Sequence, residues 1–324
     1  MQSFLDPAIL FFVFGMLAGA VRSNLEIPPQ IARFLSLYLL MALGLKGGFA
    51  LAKSGLTVEV ALSLACALLL AVVVPLMAYA LLRRRLNGFD AAAIAATYGS
   101  VSAVTFITAV QYLDTHGIGY GGHMAAAMAL MESPAIVMAV LLASWTRRQP
   151  STSPTSEAAP SMSLRHVLHE SLTDGTQLLL LGAMLIGVLT GASGQAAMQP
   201  FTGDLFKGML AFFLLDMGLL AARNMGKIKQ ASPWLLAYAV AGPLVHAAMA
   251  LVLAMAVGMS PGNTALLMVL AASASYIAVP AVVRQAIPEA NPALYFGMSL
   301  GLTFPLNILL GIPLYVHVST WVSA

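Results

Sequence analysis

The chain of 324 residues is 60% hydrophobic and only 8% charged, with a mean hydropathy of +0.89. A soluble domain carries roughly 25% charged residues because its surface faces water, so most of this chain's surface must face lipid. The net charge is only +3, which is too weak for the clustered basic face that nucleic-acid binding requires. The single cysteine, Cys66, excludes disulfides within the chain and cysteine metal sites.

Apolar runs long enough to cross a hydrocarbon core, about 20 residues each, predict ten membrane spans. We place them at about 6–22, 31–52, 57–82, 90–113, 119–145, 168–191, 201–222, 232–257, 263–285 and 291–318. The fifth and sixth spans are separated by residues 147–166, whose Pro, Ser and Thr content predicts a flexible linker.

The distribution of basic residues predicts the orientation of these spans. With both termini outside, the outer side carries only Lys46, Lys53 and Lys207, and the remaining Lys and Arg residues lie on the cytoplasmic side. Positive charge is retained in the cytoplasm during insertion. The sequence therefore predicts a multi-pass protein of the bacterial inner membrane with both termini outside.

Five spans in each half mean that the second half enters the membrane from the opposite side. Similar segments recur at matching places: YGSVSAVTF (98–106) in span 4 and ASASYIAVPA (272–281) in span 9, then MESPAIV (131–137) in span 5 and LTFPLNILL (302–310) in span 10. Membrane helices share a small alphabet, which is the alternative explanation. Inverted repeats with broken helices are typical of transporter binding sites. We predict an all-α polytopic membrane protein, with ten transmembrane helices as two inverted five-helix repeats and with helices 4 and 9 broken and crossing.

Small, hydroxyl and β-branched residues at mid-membrane indicate where spans 4 and 9 break. Glycine weakens a helix, Ser and Thr compete for its hydrogen bonds, and Pro280 removes a donor. Unwound backbone in lipid is tolerated only where it is buried or lines a cavity, and the half-helix N-termini it exposes favour an anion. The alternative is that these small residues only permit close helix packing. The candidate substrate-binding residues are Gly99, Ser100, Val101, Ser102, Thr105, Ala274, Ser275 and Tyr276.

Glu132 lies within an apolar run and is followed directly by Ser133 and Pro134. A carboxylate at that depth is costly and usually functional, so we predict that it binds sodium or carries a proton. The alternative is a glutamate paired with backbone at a helix break. The candidate sodium ligands are Ser102, Glu132, Ser273, Thr303 and Asn307. Motifs of hydrolases, zinc proteases and phosphate-binding loops are absent from the sequence, so we predict a carrier driven by an ion gradient and not an enzyme.

Along nearly its whole length the sequence resembles the sodium-dependent bicarbonate permease family known from cyanobacteria. The segments that carry the resemblance include 27–51, 98–106, 131–137, 271–275 and 286–315, and IPEANPALY within the last of these is especially specific. The resemblance implies sodium-coupled bicarbonate import, with bicarbonate at the crossing of spans 4 and 9 and sodium beside it.

The family architecture is similar to that of bile-acid symporters and sodium/proton antiporters, and implies a homotrimer whose protomers have a gate and a core domain. The gate would comprise residues 1–56 and 167–231, and the core residues 57–146 and 232–324, with the linker at 147–166. Alternating access would be an elevator-like movement of core against gate. A soluble regulator similar to the PII signalling proteins is a possible partner at the cytoplasmic face.

The sequence departs from the family pattern at two positions. Tyr276 and Glu132 stand where the cyanobacterial carriers have aspartate, which leaves the accepted anion and the coupling ion open. The alternatives are another small organic anion, or coupling to protons through Glu132. A membrane sensor or scaffold without transport is a hypothesis from a different class, but it would not need paired breaks at mid-membrane.

Overall fold

The computed structural model describes residues 6–55, 57–148, 174–226 and 231–323, and within these ranges the regular structure is entirely helical. The predicted linker at 147–166 lies outside the described residues, except for Arg147 and Arg148 at the end of a helix. An all-helical polytopic architecture is confirmed in this coarse sense.

The helices are numbered in chain order. They are α1 (Pro7–Ala20), α2 (Pro29–Ser54), α3 (Val58–Leu82), α4 (Gly88–Gly99), α5 (Ala103–Thr115), α6 (His123–Arg148), α7 (Gly175–Gln199), α8 (Leu205–Met225), α9 (Pro233–Ala256), α10 (Pro261–Ala272), α11 (Ala278–Ala286), α12 (Pro292–Met298) and α13 (Ile312–Val322). Residues between α12 and α13 stay helical but include two π-helical turns, Ser299–Thr303 and Asn307–Gly311.

Several helix starts follow directly from local sequence. Asp6, Ser232 and Asn291 each precede a proline and accept a hydrogen bond from the backbone of the following turn, at 2.8, 3.4 and 3.0 Å. The first N–H groups of a helix have no partner within it, so a side-chain acceptor there stabilises the start and proline loses nothing. The entry points of α1, α9 and α12 are therefore fixed before any tertiary contact forms.

Seven ranges within the described residues are long and apolar enough to cross a membrane. One of them, Gly175–Met225, spans 51 residues and contains predicted span 7 and residues 175–191 of predicted span 6, whose residues 168–173 lie outside the described part of the chain. It is interrupted at Gly191, whose positive φ of 54° is a backbone conformation that glycine adopts readily. Two further apolar helices, α1 and α10, are shorter than 18 residues. The count of ten spans remains a prediction.

The predicted gate helices pack in two pairs, α1 against α8 and α2 against α7, at glycines. In the first pair, a side chain on Gly15 would overlap the Leu215 carbonyl, and one on Gly218 would overlap the Phe12 carbonyl. In the second pair, a side chain on Gly48 would overlap the Met184 carbonyl. Close backbone approach at small residues is the usual means of helix association in lipid, where no hydrophobic force favours it.

The predicted core helices surround α4 and α10. In an 18-residue apolar window of Gly88–Thr115, 94% of the residues are buried, against only 39% in the corresponding window of Pro233–Ala256. All residues of α10 after its first are buried, and so is the alanine run 91–96 of α4. The two helices that end in mid-molecule are therefore shielded from lipid, as irregular backbone at membrane depth must be.

We expect Gly48→Ala to destabilise the α2–α7 pair, because its methyl group would force the two backbones apart. Overpacking of this kind typically costs about 1–3 kcal/mol, so the midpoint of thermal unfolding of the detergent-solubilised protein should fall. Gly182→Ala in α7 is the control, since a methyl group there meets no atom within 4 Å. Equal midpoints for the two variants would contradict the close approach at Gly48.

Candidate functional site

Two stretches of extended backbone interrupt helices in the middle of the molecule. The first, residues 100–102, separates α4 from α5, and Ser100 there has ψ 178°. The second, residues 273–277, separates α10 from α11 and begins at Ser273 with ψ 164°. Gly99 is the last residue of α4, and a side chain at this position would overlap the Pro75 ring of α3. The close approach of the two helices therefore requires glycine here. Both breaks lie where the sequence predicted them.

The two breaks hydrogen-bond to each other reciprocally. The Ser102 N–H donates to Ser273 Oγ at 3.0 Å, and the Ser275 N–H donates to the Thr97 carbonyl at 2.9 Å. Buried backbone donors must find partners within the protein, and here each break supplies an acceptor for the other. The two breaks therefore form one hydrogen-bonded unit, which we call the crossing.

Helices α5 and α11 both begin at this crossing, with serine side chains at their N-termini. Ser102 Oγ accepts from the Thr105 N–H at 3.2 Å and from Thr105 Oγ1 at 2.9 Å, and Ser275 Oγ accepts from the Val279 N–H at 3.3 Å. The N-terminus of a helix is the positive end of its dipole. Two such ends and two hydroxyl groups meeting at one place can hold an anion.

A cavity of about 80 Å³ lies against the crossing. One water needs roughly 10–15 Å³ in the same measure, so this space accommodates an ion of a few heavy atoms. The predicted gate contributes polar groups to it from Ser36, Thr176 and Gln177. From the predicted substrate residues the lining includes Val101, Ser102, Ser275 and Tyr276. It does not include Gly99, Ser100, Thr105 or Ala274, which are buried in or beside the breaks.

Glu132 of α6 also lines this cavity and bonds across it to the predicted gate. Its Oε2 accepts a hydrogen bond from Gln177 Nε2 at 2.9 Å. Gln177 is held in the first turn of α7, where its N–H donates to the capping carboxylate of Asp174 at 3.1 Å. Because α6 runs unbroken through Pro134, the alternative that Glu132 pairs with backbone at a helix break is wrong.

Tyr276 lies at the second break with its ring edge-on to Phe304, the centroids 5.2 Å apart. Its hydroxyl donates to Met217 Sδ at 3.4 Å, across to α8. A thioether is a weak acceptor, so this proton can turn to an oxygen that enters the cavity. Tyr276 thus presents a hydrogen-bond donor to the cavity.

The remaining candidate sodium ligands lie behind the crossing, outside the cavity lining. Asn307 Nδ2 donates to the Ala272 carbonyl at 2.8 Å, which ties the second π-helical turn to the end of α10. Thr303 Oγ1 donates to the Ala239 carbonyl at 2.8 Å and lies 2.6 Å from the Tyr98 hydroxyl. Ser102 and Glu132 therefore share the cavity, while Ser273 lies within the crossing and Thr303 and Asn307 support it from the other side.

One buried hydroxyl at the crossing has no protein partner. Ser100 is 1% exposed, and its Oγ makes no hydrogen bond among the described residues. A buried polar group without a partner is unusual and often has a functional reason. Because Ser100 does not line the cavity, its predicted role in substrate binding stays a prediction.

The motif IPEAN between α11 and α12 attaches the second break to the rest of the core. Arg147 at the end of α6 donates to both Glu289 oxygens, Nε at 3.0 Å and Nη2 at 2.9 Å. Burial alone would raise the pKa of Glu289, but these hydrogen bonds outweigh it and hold that pKa below its ordinary value. The Asn291 N–H donates to Asp90 of α4 at 2.7 Å. The motif thus links α11 and α12 to α6 and to the first broken helix.

The sequence missed the contribution of the predicted gate to this site. No motif marks the three polar residues that it contributes, Ser36, Thr176 and Gln177. What could have indicated their role is that each is a polar residue in an apolar run, where a lipid-facing helix would have an apolar one. They reach the cavity because α2 and α7 pack together and then against α6.

Removing the Ser273 hydroxyl should destabilise the crossing. In Ser273→Ala the buried Ser102 N–H loses its acceptor, and leaving a buried donor unpaired costs about 1–3 kcal/mol. Thermal unfolding in detergent measures this loss. Ser299→Ala is the control, because Ser299 Oγ only donates to the Tyr295 carbonyl one turn earlier in the same helix. If the two variants unfold at the same temperature, the reciprocal bonds do not stabilise the protein.

Comparison with known protein families gives a match over most of the chain. Residues 7–320 match the family described as the Na⁺-dependent bicarbonate transporter superfamily. The comparison with curated proteins returns no match. The match covers nearly the whole sequence, both helix breaks and the cavity between them, and confirms the resemblance found in the sequence. The chain belongs to the Na⁺-dependent bicarbonate transporter superfamily.

Proposed function

We propose that this protein is a secondary transporter that imports bicarbonate together with sodium, binding the anion at the crossing of the two helix breaks. The observation that carries this proposal is the pair of reciprocal hydrogen bonds between Ser102 and Ser273 and between Ser275 and Thr97, which holds two helix N-termini against one cavity. Family membership supports bicarbonate as the substrate and sodium as the coupling ion.

The size and donors of the cavity favour a small anion. At about 80 Å³ it is too small in this conformation for a ligand of drug size, whose pockets measure roughly 300–1,000 Å³. The hydroxyls of Ser102, Ser275 and Tyr276 can donate hydrogen bonds to bicarbonate oxygens, and no lysine or arginine lines the cavity among the described residues. Another small organic anion is the alternative substrate.

Glu132 is the proposed link to the cation. Carboxylate, hydroxyl and amide oxygens are suitable ligands for a hard cation. In the proposal Glu132 and Ser102 bind sodium from the cavity side, with Ser273, Thr303 and Asn307 supplying oxygens behind the crossing. A proton on Glu132 is the alternative coupling ion.

We further propose ten spans in two inverted halves. The close contacts in both gate pairs advance along the two helices together, from Gly44 near Leu180 to Gly48 near Met184, and from Gly15 near Leu215 to Gly19 near Ala222. Each pair is therefore parallel, and joins the first helix of one half to the second helix of the other. Because successive helices reverse direction, this pairing supports a second half that is inverted relative to the first.

The contacts between gate and core support an elevator-like movement. Two polar contacts connect the predicted gate to the predicted core, Lys46 with Asp114 at 3.1 Å and Gln177 with Glu132 at 2.9 Å, and the backbones of Gly47 and Gly122 approach closely across the same interface. The partly exposed Lys46–Asp114 ion pair contributes little to stability, and in this proposal it is exchanged as the core moves. The homotrimer, a PII-like regulator at the cytoplasmic face and an inner-membrane location with both termini outside are proposals that rest on the family and on the charge distribution.

Uptake of radiolabelled bicarbonate into proteoliposomes, with and without an inward sodium gradient, tests the proposed function. We expect sodium-dependent uptake, weakened in Ser102→Ala and Ser275→Ala. A hydrogen bond to a charged group contributes ~1.5–3 kcal/mol, so the half-saturating bicarbonate concentration should rise about 10- to 100-fold. Ser63→Ala removes a buried serine hydroxyl that lies outside the cavity and should leave it unchanged. Binding of bicarbonate without any uptake would instead favour a sensor.

Glu132→Gln separates sodium from proton coupling. The amide keeps an oxygen that accepts from Gln177 but loses the charge, so the sodium concentration for half-maximal uptake should rise while bicarbonate affinity at saturating sodium changes less. Glu26→Gln, at an exposed position between α1 and α2, controls for the loss of a carboxylate. If wild-type uptake instead follows the pH gradient, is indifferent to sodium and is lost in Glu132→Gln, the coupling ion is the proton.

A further inference from the structure

A second cavity lies on the outer surface of the core, between α3 and α9. It measures about 280 Å³ and its walls are almost entirely apolar, with Met77 and Leu81 on one side and Trp234, Tyr238 and Val245 on the other. The ranges of α3 and α9 are the least buried of the seven candidate spans, at 44% and 39%. The crevice therefore faces lipid, and its volume suits part of an acyl chain better than an ion.

Three consecutive arginines follow at the end of α3 beside this crevice. Arg83, Arg84 and Arg85 are all exposed. Leu81 lines the crevice, and α3 ends one residue later at Leu82. Arg84 and Arg85 follow in a turn whose N–H groups donate to the Leu81 and Leu82 carbonyls, so both arginines lie within one turn of the end of the crevice.

The other wall provides the N-terminus of a long helix at the same end. Helix α9 begins at Pro233, and its second residue, Trp234, lines the crevice. Its cap, Ser232, satisfies the Leu235 N–H, and the other N–H groups of the first turn are at the positive end of a 24-residue helix. Arginine side chains and this helix end thus place positive charge directly above an apolar crevice.

We propose that the crevice is a binding site for an anionic phospholipid. One acyl chain lies between α3 and α9, and the phosphate faces Arg84, Arg85 and the N-terminus of α9. The arginines favour a lipid with an anionic headgroup, because basic residues near the membrane surface attract such lipids. This site is separate from the proposed transport site, and requires only that the chain spans a membrane.

Trp234 reports occupancy directly, because brominated acyl chains quench the fluorescence of a tryptophan they touch. In a Trp145→Phe/Trp321→Phe background reconstituted into phosphatidylcholine vesicles, brominated phosphatidylglycerol should quench Trp234 at lower mole fraction than brominated phosphatidylcholine. Each arginine near the surface contributes about fivefold, so the preference should exceed fivefold and fall toward one in Arg84→Gln/Arg85→Gln. Arg22→Gln/Arg33→Gln removes two exposed charges from the same membrane face and should retain the preference.

A second pair of variants tests the acyl chain. Ala241→Phe fills the crevice and should reduce quenching by both lipids, whereas Ala248→Phe, two turns further along α9 and outside the crevice, should not. Equal quenching by both lipids in the parent protein would overturn the proposal. So would a preference that Arg84→Gln/Arg85→Gln leaves intact, or one that the Arg22→Gln/Arg33→Gln control lowers equally, since that outcome would indicate the general surface potential.

Discussion

The structure depends on the requirement that backbone N–H and C=O groups at membrane depth find partners inside the protein. An unbroken helix meets this requirement by itself, whereas α4 and α10 stop in mid-molecule and expose donors and acceptors. The bonds from Ser102 to Ser273 and from Ser275 to Thr97 satisfy them mutually. Because each break depends on the other, the surrounding helices must hold both breaks at the same depth in the molecule. The burial of α4 and α10 meets this requirement.

The predicted gate helices and the predicted core helices are held together by different interactions. The gate pairs rely on backbone contact at glycines such as Gly15 and Gly48, which tolerates no sliding without overlap. The core is tied within itself by charged hydrogen bonds, among them the Arg147–Glu289 pair in the IPEAN motif. The predicted gate and core meet at the Lys46–Asp114 ion pair, at the Gln177–Glu132 hydrogen bond and at the close approach of Gly47 to Gly122. The proposed elevator-like movement would exchange the two polar contacts.

The chemistry of the site follows from the balance of charge around one small cavity. Its positive potential comes from helix N-termini and hydroxyl donors, not from basic side chains, and its one acidic group is Glu132 on the opposite wall. An anion near the N-termini and a cation near Glu132 would offset each other as they leave water together. Tyr276 adds a hydroxyl donor to the lining of this cavity, which suits the proposed anion.

The sequence by itself determined the membrane environment, the family, most helix starts and the positions of both breaks, because these depend on local composition and on capping or small residues close in the chain. Only the tertiary structure decided which candidate residues meet. Glu132 and Gln177 are 45 positions apart and bond across the cavity, while Thr303 and Asn307 turn to Ala239 and Ala272 behind the crossing. The orientation of α6, α7 and the π-helical turns about their own axes determines which side chains face each other. That orientation is set by packing between distant segments, which no local sequence pattern records.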